Sequence, residues 1–133
     1  MPIIVQKYGG TSIGSIEKIS KVADKIIFEK AKGNDIVVVV SAMSGETNRL
    51  IELAKSIDKD VNGREYDVLI STGEQVTISL LAMTLIKKGH KAISLTGQQA
   101  GIITDLTKNF VITWLGIKIS NSQQGNTPKL AIW

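Results

Sequence analysis

Cysteine is missing from all 133 residues, histidine occurs once, and aromatic side chains make up 5% of the chain. The first absence excludes disulfides and thiolate metal centres. The second, with carboxylates scattered along the chain, leaves no metal-ligand spacing, so no metal residues are assigned. The third removes the interleaved stacking platforms on which single-stranded nucleic acids are bound. No unbroken apolar run reaches membrane-spanning length, and the N-terminal stretch lacks a signal-peptide pattern. The expectation is a cytoplasmic protein handling small molecules, with no nucleic-acid or membrane partner.

The net charge of +4 does not change that expectation. Residues 1–105 hold 13 Lys/Arg and all 12 Asp/Glu, whereas residues 106–133 hold three lysines and no acid. The excess belongs to the end of the chain, and no dense basic stripe exists. A hydrophobic fraction of 43% is ordinary for a globular domain able to bury a core.

What is present is an alternation of strands and helices. Ile3–Lys7 reads as a strand. Ile13, Ile16, Ile19, Val22, Ala23, Ile26 and Ile27 recur at steps of three and four, the signature of an amphipathic helix ending near Gly33-Asn34. Ile36–Val40 is a run of β-branched residues suited to a strand covered on both faces. A second helix carries Leu50, Leu53, Ala54 and Ile57 on one face. Helical pattern resumes at Arg64–Ile70, breaks at Ser71-Thr72-Gly73-Glu74, and continues over Gln75–Lys88 as a largely buried segment capped by Gly89. Ala92–Leu95 and Ile102–Thr104 read as further strands. The order predicts an α/β sheet with helices on both sides.

Ligands of such sheets gather beyond the carboxyl ends of the strands. Gly9–Ser12, Ser41–Asn48 and Thr96–Gly101 all follow predicted strands and fall on that one edge. In the first, Lys7 leads into Tyr8-Gly9-Gly10-Thr11-Ser12. Two readings stand there: a phosphate cradle of lysine, glycine backbone and helix N–H groups, or a tight turn capped by Thr11 or Ser12. Lys7 reaches either phosphate oxygens or solvent. Ser41, Ser44 and Thr47 either hold a carboxylate or phosphoryl group, or serve with Gly45 to turn and cap the second helix; Asn48 and Arg49 adjoin them. Glu74 either holds the ammonium group of an amino acid or is a helix-terminal acid favoured by the macrodipole. Both Gly-x4-Gly-Lys-Ser/Thr and Gly-x-Gly-x-x-Gly are missing, so nucleotide binding would use neither device.

Lys7–Ser12, Val39–Leu50 (Val-Val-Ser-Ala-Met-Ser-Gly-Glu-Thr-Asn-Arg-Leu), Leu69–Gln75 and Thr96–Ile102 together resemble the aspartate kinases of the amino-acid kinase family. The resemblance implies a three-layer αβα sandwich around a mainly parallel sheet, here incomplete. It implies transfer of the ATP γ-phosphoryl group, with Mg2+, to the side-chain carboxylate of L-aspartate, the first step towards lysine, threonine, methionine and diaminopimelate. Carried over by motif, Lys7 is the catalytic residue; Lys7, Tyr8, Gly9, Gly10 and Ser41 hold the nucleotide. Thr47, Asn48, Arg49 and Glu74 hold the substrate, Glu74 facing its ammonium.

The resemblance covers residue 3 to about residue 105. No Gly-Arg-Gly-Gly-Ser-Asp stretch follows, so the expected organisation is the N-terminal part of a kinase domain over 1–109 and an atypical tail, read as frameshift-derived, over 110–133. A kinase site present in part and self-association through an exposed sheet edge follow from that. The alternatives are a non-catalytic phosphate- or partner-binding remnant, or another amino-acid kinase.

Overall fold

The computed structural model of the chain describes residues 2–101 and the backbone of residues 115–119. Strand β1 (Ile3–Tyr8) is followed by a 3-10 turn at Gly10–Ser12, helix α1 (Ile16–Ala31) and strand β2 (Asp35–Val40). Helices α2 (Glu46–Ile57) and α3 (Arg64–Lys87), strand β3 (Ile93–Leu95) and strand β4 (Leu115–Ile119) complete the order. The expected strand at Ile102–Thr104 and the boundary at residue 109 lie outside the described residues. So does the tail, apart from β4.

The sheet runs β1-β2-β4-β3. β1 and β2 are parallel, with Tyr8 opposite Val40, and β4 is antiparallel to both β2 and β3. β1, β2 and β3 therefore point the same way, and the segments after them emerge on one edge. Side chains alternate across a strand. Ile36, Val38 and Val40 face α1 and α3, joining Ile19, Val22, Ile26, Ile78, Leu81 and Leu85 in one core. Fully burying a Leu or Ile side chain is worth about 1.5–3 kcal/mol, so this face carries much of the folding energy. Ile3, Val5 and Ile93 lie on the other face and are exposed. The described residues thus give the sheet and one helical layer of the sandwich.

Helix α3 corrects the expected break at residues 71–74. It is continuous over 24 residues. Ser71 and Thr72 donate their hydroxyls to the carbonyls of Val68 and Leu69, and Thr77 donates to Gly73. These polar residues are thereby accommodated inside the helix. Joined in this way, α3 is long and apolar enough to span a membrane by length and composition. Instead it packs on α1, α2 and the sheet. Only one stripe of it is buried, through Gly73, Thr77, Ile78, Leu81, Ala82 and Leu85. Val76, Met83 and Ile86 are exposed, contrary to the expectation of burial on most sides. In α2, likewise, Leu50 and Ala54 are buried while Leu53 and Ile57 are exposed.

Helix α3 ends as the sequence predicts. Gly89 adopts φ 86°, and the N–H groups of Gly89 and His90 donate to the carbonyls of Ile86 and Leu85. This Schellman arrangement favours a residue without a Cβ. At the other helix–strand junction, the buried Lys30 ammonium reaches Oδ1 of Asp35 at 3.1 Å, tying the end of α1 to the start of β2.

Candidate active site at the carboxyl edge of the sheet

The segment after β1 turns once as a 3-10 helix before α1 begins, because Ile13 drops fully into the core. Ser15, not Thr11 or Ser12, caps α1; its Oγ accepts from the Lys18 N–H at 3.2 Å. Thr11 and Ser12 stay exposed at the sheet edge. The helix-capping reading of the opening turn is therefore replaced by a turn that crosses over the segment following β2.

That crossing is close. A Cβ on Gly10 would lie 2.7 Å from the Ala42 carbonyl oxygen and 3.5 Å from the Ser44 nitrogen. One on Gly14 would lie 3.2 Å from Ser44 Cβ. The Ser41 N–H donates to the Tyr8 carbonyl at 3.1 Å, extending the β1–β2 ladder into the two turns. Lys7 is exposed, and its Nζ lies 3.9 Å from the position of a Cβ on Gly9. The ammonium thus folds back over bare glycine backbone. Strand alternation places the Tyr8 side chain on the opposite face from Lys7, where its hydroxyl donates to Oε1 of Gln6 at 3.0 Å. Tyr8 presents only its backbone to the turn. Burial, and secondarily the charge of Glu29, raise its pKa above 10.0.

Helix α3 closes the site from the third side. A Cβ on Gly73 would meet Ala42 Cβ at 3.0 Å and Glu46 Cγ and Leu50 Cδ1 at 3.5 Å. Gly73 is therefore a contact residue that packs α3 against the β2–α2 segment, and Glu74, next to it in α3, is half-buried. Among the described residues Glu74 makes no ion pair.

Helix α2 opens on Gly45 at φ 84°, with no side-chain cap. Thr47 is half-buried in the first turn and Asn48 is exposed beside it. Neither caps the helix. The Arg49 guanidinium grips Glu46 through Nε–Oε2 at 2.9 Å and Nη2–Oε1 at 2.7 Å. This hydrogen-bonded pairing holds the Glu46 carboxyl below its usual range. It also neutralises the acid at a helix end that otherwise favours anions. Glu46 is not among the candidates that the sequence singles out; its spacing of three from Arg49 is the signal that marks it.

Segment Thr96–Gly101 reaches the same edge through β3. Thr96 and Gln99 cap one another, the Thr96 N–H donating to Gln99 Oε1 at 2.9 Å and the Gln99 N–H to Thr96 Oγ1 at 3.2 Å. That reciprocal pair is a capping box. The expected loop is therefore an ordered turn.

This geometry has relatives. The family model described as "Amino acid kinase family" matches residues 2–128. The chain belongs to the amino acid kinase family. It is 60% identical over 109 residues to the aspartate kinase of Pseudomonas putida, covering 82% of this chain and 26% of that protein. To the aspartokinase of Geobacillus stearothermophilus it is 62% identical over 105 residues, covering 79% of this chain and 26% of the relative. Among solved structures, that of aspartate kinase from Synechocystis superposes with a TM-score of 0.70 at 50% identity, covering 73% of this chain and 17% of that one. The chain thus spans about a quarter of the curated relatives it matches. As a member of the amino acid kinase family it carries the expected αβ fold in incomplete form, and the Gly9–Ser12 turn lies at the carboxyl edge of its sheet.

Proposed function

We propose that these residues form the phosphate- and aspartate-binding part of an aspartate kinase site. The observation that carries this reading is the crossing of the Gly9–Gly10 turn over Ala42 and Ser44, with Lys7 beside it and Gly73 of α3 packed on Ala42. Phosphoryl transfer asks a protein for alignment and neutralisation of charge more than for covalent chemistry. Lys7 supplies the fixed charge at the phosphoryl oxygens. Gly9, Gly10 and Ser41 supply close backbone approach. The uncapped start of α2, with Thr47 and Asn48, receives the carboxylate groups of L-aspartate; Arg49, held by Glu46, adds positive charge at that end. Glu74 pairs with the substrate ammonium. A side-chain carboxylate oxygen of aspartate attacks the γ-phosphorus of ATP, the bond to the β–γ bridging oxygen breaks, and ADP departs, leaving 4-phospho-aspartate.

Among the described residues no three His, Cys, Asp or Glu side chains gather to hold a metal ion. In this reading Mg2+ enters as the counter-ion carried by the nucleotide phosphates, a usual mode for this ion. The reading places the chain in amino-acid biosynthesis in the cytoplasm.

The decisive measurement is ADP release by the purified chain with ATP, Mg2+ and L-aspartate, alongside calorimetric titration of ATP. The expected result is ATP binding that Lys7→Ala abolishes, with aspartate-dependent turnover far below that of a whole kinase. The short span of the relatives' length favours one second reading, a binding module without turnover. ATP binding untouched by Lys7→Ala and by Gly10→Ala sinks the phosphate cradle itself.

A further inference from the structure

In helix α3 the hydroxyls of Ser71, Thr72, Ser79 and Thr84 donate back to carbonyls of the preceding turn. All four residues are half-buried or exposed, within reach of water. Thr77 is different. It is 0% exposed, lies on the buried stripe with Ile78 and Leu81, and donates its Oγ1 to the Gly73 carbonyl at 3.1 Å. Among the described residues, Thr77 and Lys30 are the two buried polar side chains. Lys30 has a partner of opposite charge in Asp35. Packing asks nothing similar of the Thr77 hydroxyl. Because α3 is continuous, the Gly73 carbonyl already accepts the Thr77 N–H in the helical ladder. A valine would fill the same space and strand no donor.

What the hydroxyl adds is a second donor on one carbonyl. Back-bonding of this kind competes with the ladder bond, slightly weakens a helix and bends it locally. The carbonyl belongs to Gly73, the residue at which α3 meets the segment after β2; a Cβ there would lie 3.0 Å from Ala42 Cβ. Glu74 is next in the chain. Residues four apart share a helix face, so Glu74 stands one turn before Ile78, on the face that Ile78 buries in the core. The single turn Gly73–Thr77 therefore combines the contact with Ala42, the buried hydroxyl of α3 and the half-buried Glu74.

We propose that Thr77 is a positioning residue for aspartate binding: its hydroxyl, through the Gly73 carbonyl, sets the local course of α3 that aims Glu74 at the substrate ammonium. The role of Glu74 rests on the kinase reading above, whereas the buried hydroxyl bond rests on the structure alone. Thr77 itself touches no substrate. It differs from a residue that only packs, because removing its hydroxyl moves stability and aspartate binding in opposite directions.

The test titrates L-aspartate by calorimetry into the 133-residue chain held with ATP and Mg2+, with thermal melts of the same samples. Thr77→Val keeps the shape and removes the hydroxyl. It is expected to melt no lower than the parent chain and to bind ATP unchanged. Its aspartate affinity is expected to fall about tenfold, the scale of one impaired charge-assisted bond. Thr77→Ser keeps the hydroxyl and removes a buried methyl, so it is expected to melt lower while holding the parent's aspartate affinity. Glu74→Gln is expected to weaken aspartate and to add little further loss to Thr77→Val, since both act through one carboxylate. Unchanged aspartate affinity in Thr77→Val overturns the proposal. So does a loss that follows the melting temperature in both variants, or fully additive losses from Thr77→Val and Glu74→Gln.

If the parent chain takes up no aspartate, its 105 matched residues replace those of the Geobacillus stearothermophilus aspartokinase, and the same variants are read by steady-state kinetics. A raised KM for aspartate in Thr77→Val, with KM for ATP unmoved and Thr77→Ser at the parent values, upholds the positioning. An unmoved KM for aspartate overturns it and leaves the kinase reading standing. A folded graft without aspartate-dependent ADP release sinks the kinase reading, and the aiming of Glu74 falls with it.

Discussion

Gly10 and the Ala42 carbonyl oxygen are in such close approach that a Cβ on Gly10 would come within 2.7 Å of that oxygen. The obstacle is backbone, which cannot swing aside as a side-chain tip would. Gly10→Ala should therefore push the first turn off the second and cost about 1–3 kcal/mol, in the range of overpacking. Urea denaturation followed by circular dichroism measures it. Gly9→Ala is the control: its nearest outside neighbour is the Lys7 ammonium at 3.9 Å, and its loss should be much smaller. Equal losses at the two positions would refute the crossing geometry.

Around the same two turns, some features are legible in the residue pattern and others only in the packing. The recurrence of Ile13, Ile19, Val22 and Ile26, and the β-branched run of β2, reveal the helix, the strand and their burial, because periodicity and packing agree there. The three-loop edge is equally legible, since strand direction places it. Gly73 is not. Glycine after Ser71-Thr72 has the composition of a helix break, and only the nearness of Ala42, Glu46 and Leu50 shows that it is a contact inside one long helix. The Thr96–Gln99 capping box is visible as a spacing, but its polar, glycine-flanked composition is that of a loop. That Tyr8 and Lys7 point to opposite faces follows from strand alternation. It is hidden when the residues are taken as one motif.

Lys30 and Asp35 should respond unequally to removal. The Lys30 side chain is 4% exposed and that of Asp35 29%. Asp35→Ala leaves a buried ammonium unpaired and should cost about 3 kcal/mol. Lys30→Met leaves a carboxylate that water can reach, filled beside it by an apolar stem, and should cost about 1 kcal/mol or less. Thermal and urea melts of both variants check the order. A larger loss for Lys30→Met would mean that Asp35, not Lys30, is the group stranded by the change.

Glu46 and Arg49 give a test in pH. Hydrogen bonding to Arg49 lowers the Glu46 pKa from 4.5, so the folded state holds this proton less tightly than the unfolded one. The contribution to stability is present above the ordinary carboxyl value and disappears as the pH falls through the lowered one. Carboxyl-carbon NMR titration should place Glu46 below 4.5 in the native chain, and Arg49→Met should return it towards 4.5. Both side chains are at the surface, so the effect should weaken as salt is raised. An unmoved midpoint in Arg49→Met would remove the basis for Glu46 as the residue that holds Arg49.

Tyr8 reports on a shallow groove between β1 and α1, lined by Gln6, Tyr8, Asp24, Lys25, Phe28 and Glu29. Burial first, and the Glu29 charge second, raise its pKa above 10.0. A tyrosine with a raised pKa stabilises the fold below its ordinary value, and that contribution is lost as the pH climbs through the raised one. Ultraviolet titration of a Tyr66→Phe variant isolates Tyr8 as the remaining tyrosine. Its midpoint should lie above 10.0, and Glu29→Gln should lower it only in part, because burial is the larger cause. A midpoint at or below 10.0, or one that Glu29→Gln returns fully to 10.0, would contradict burial of the ring as the main cause.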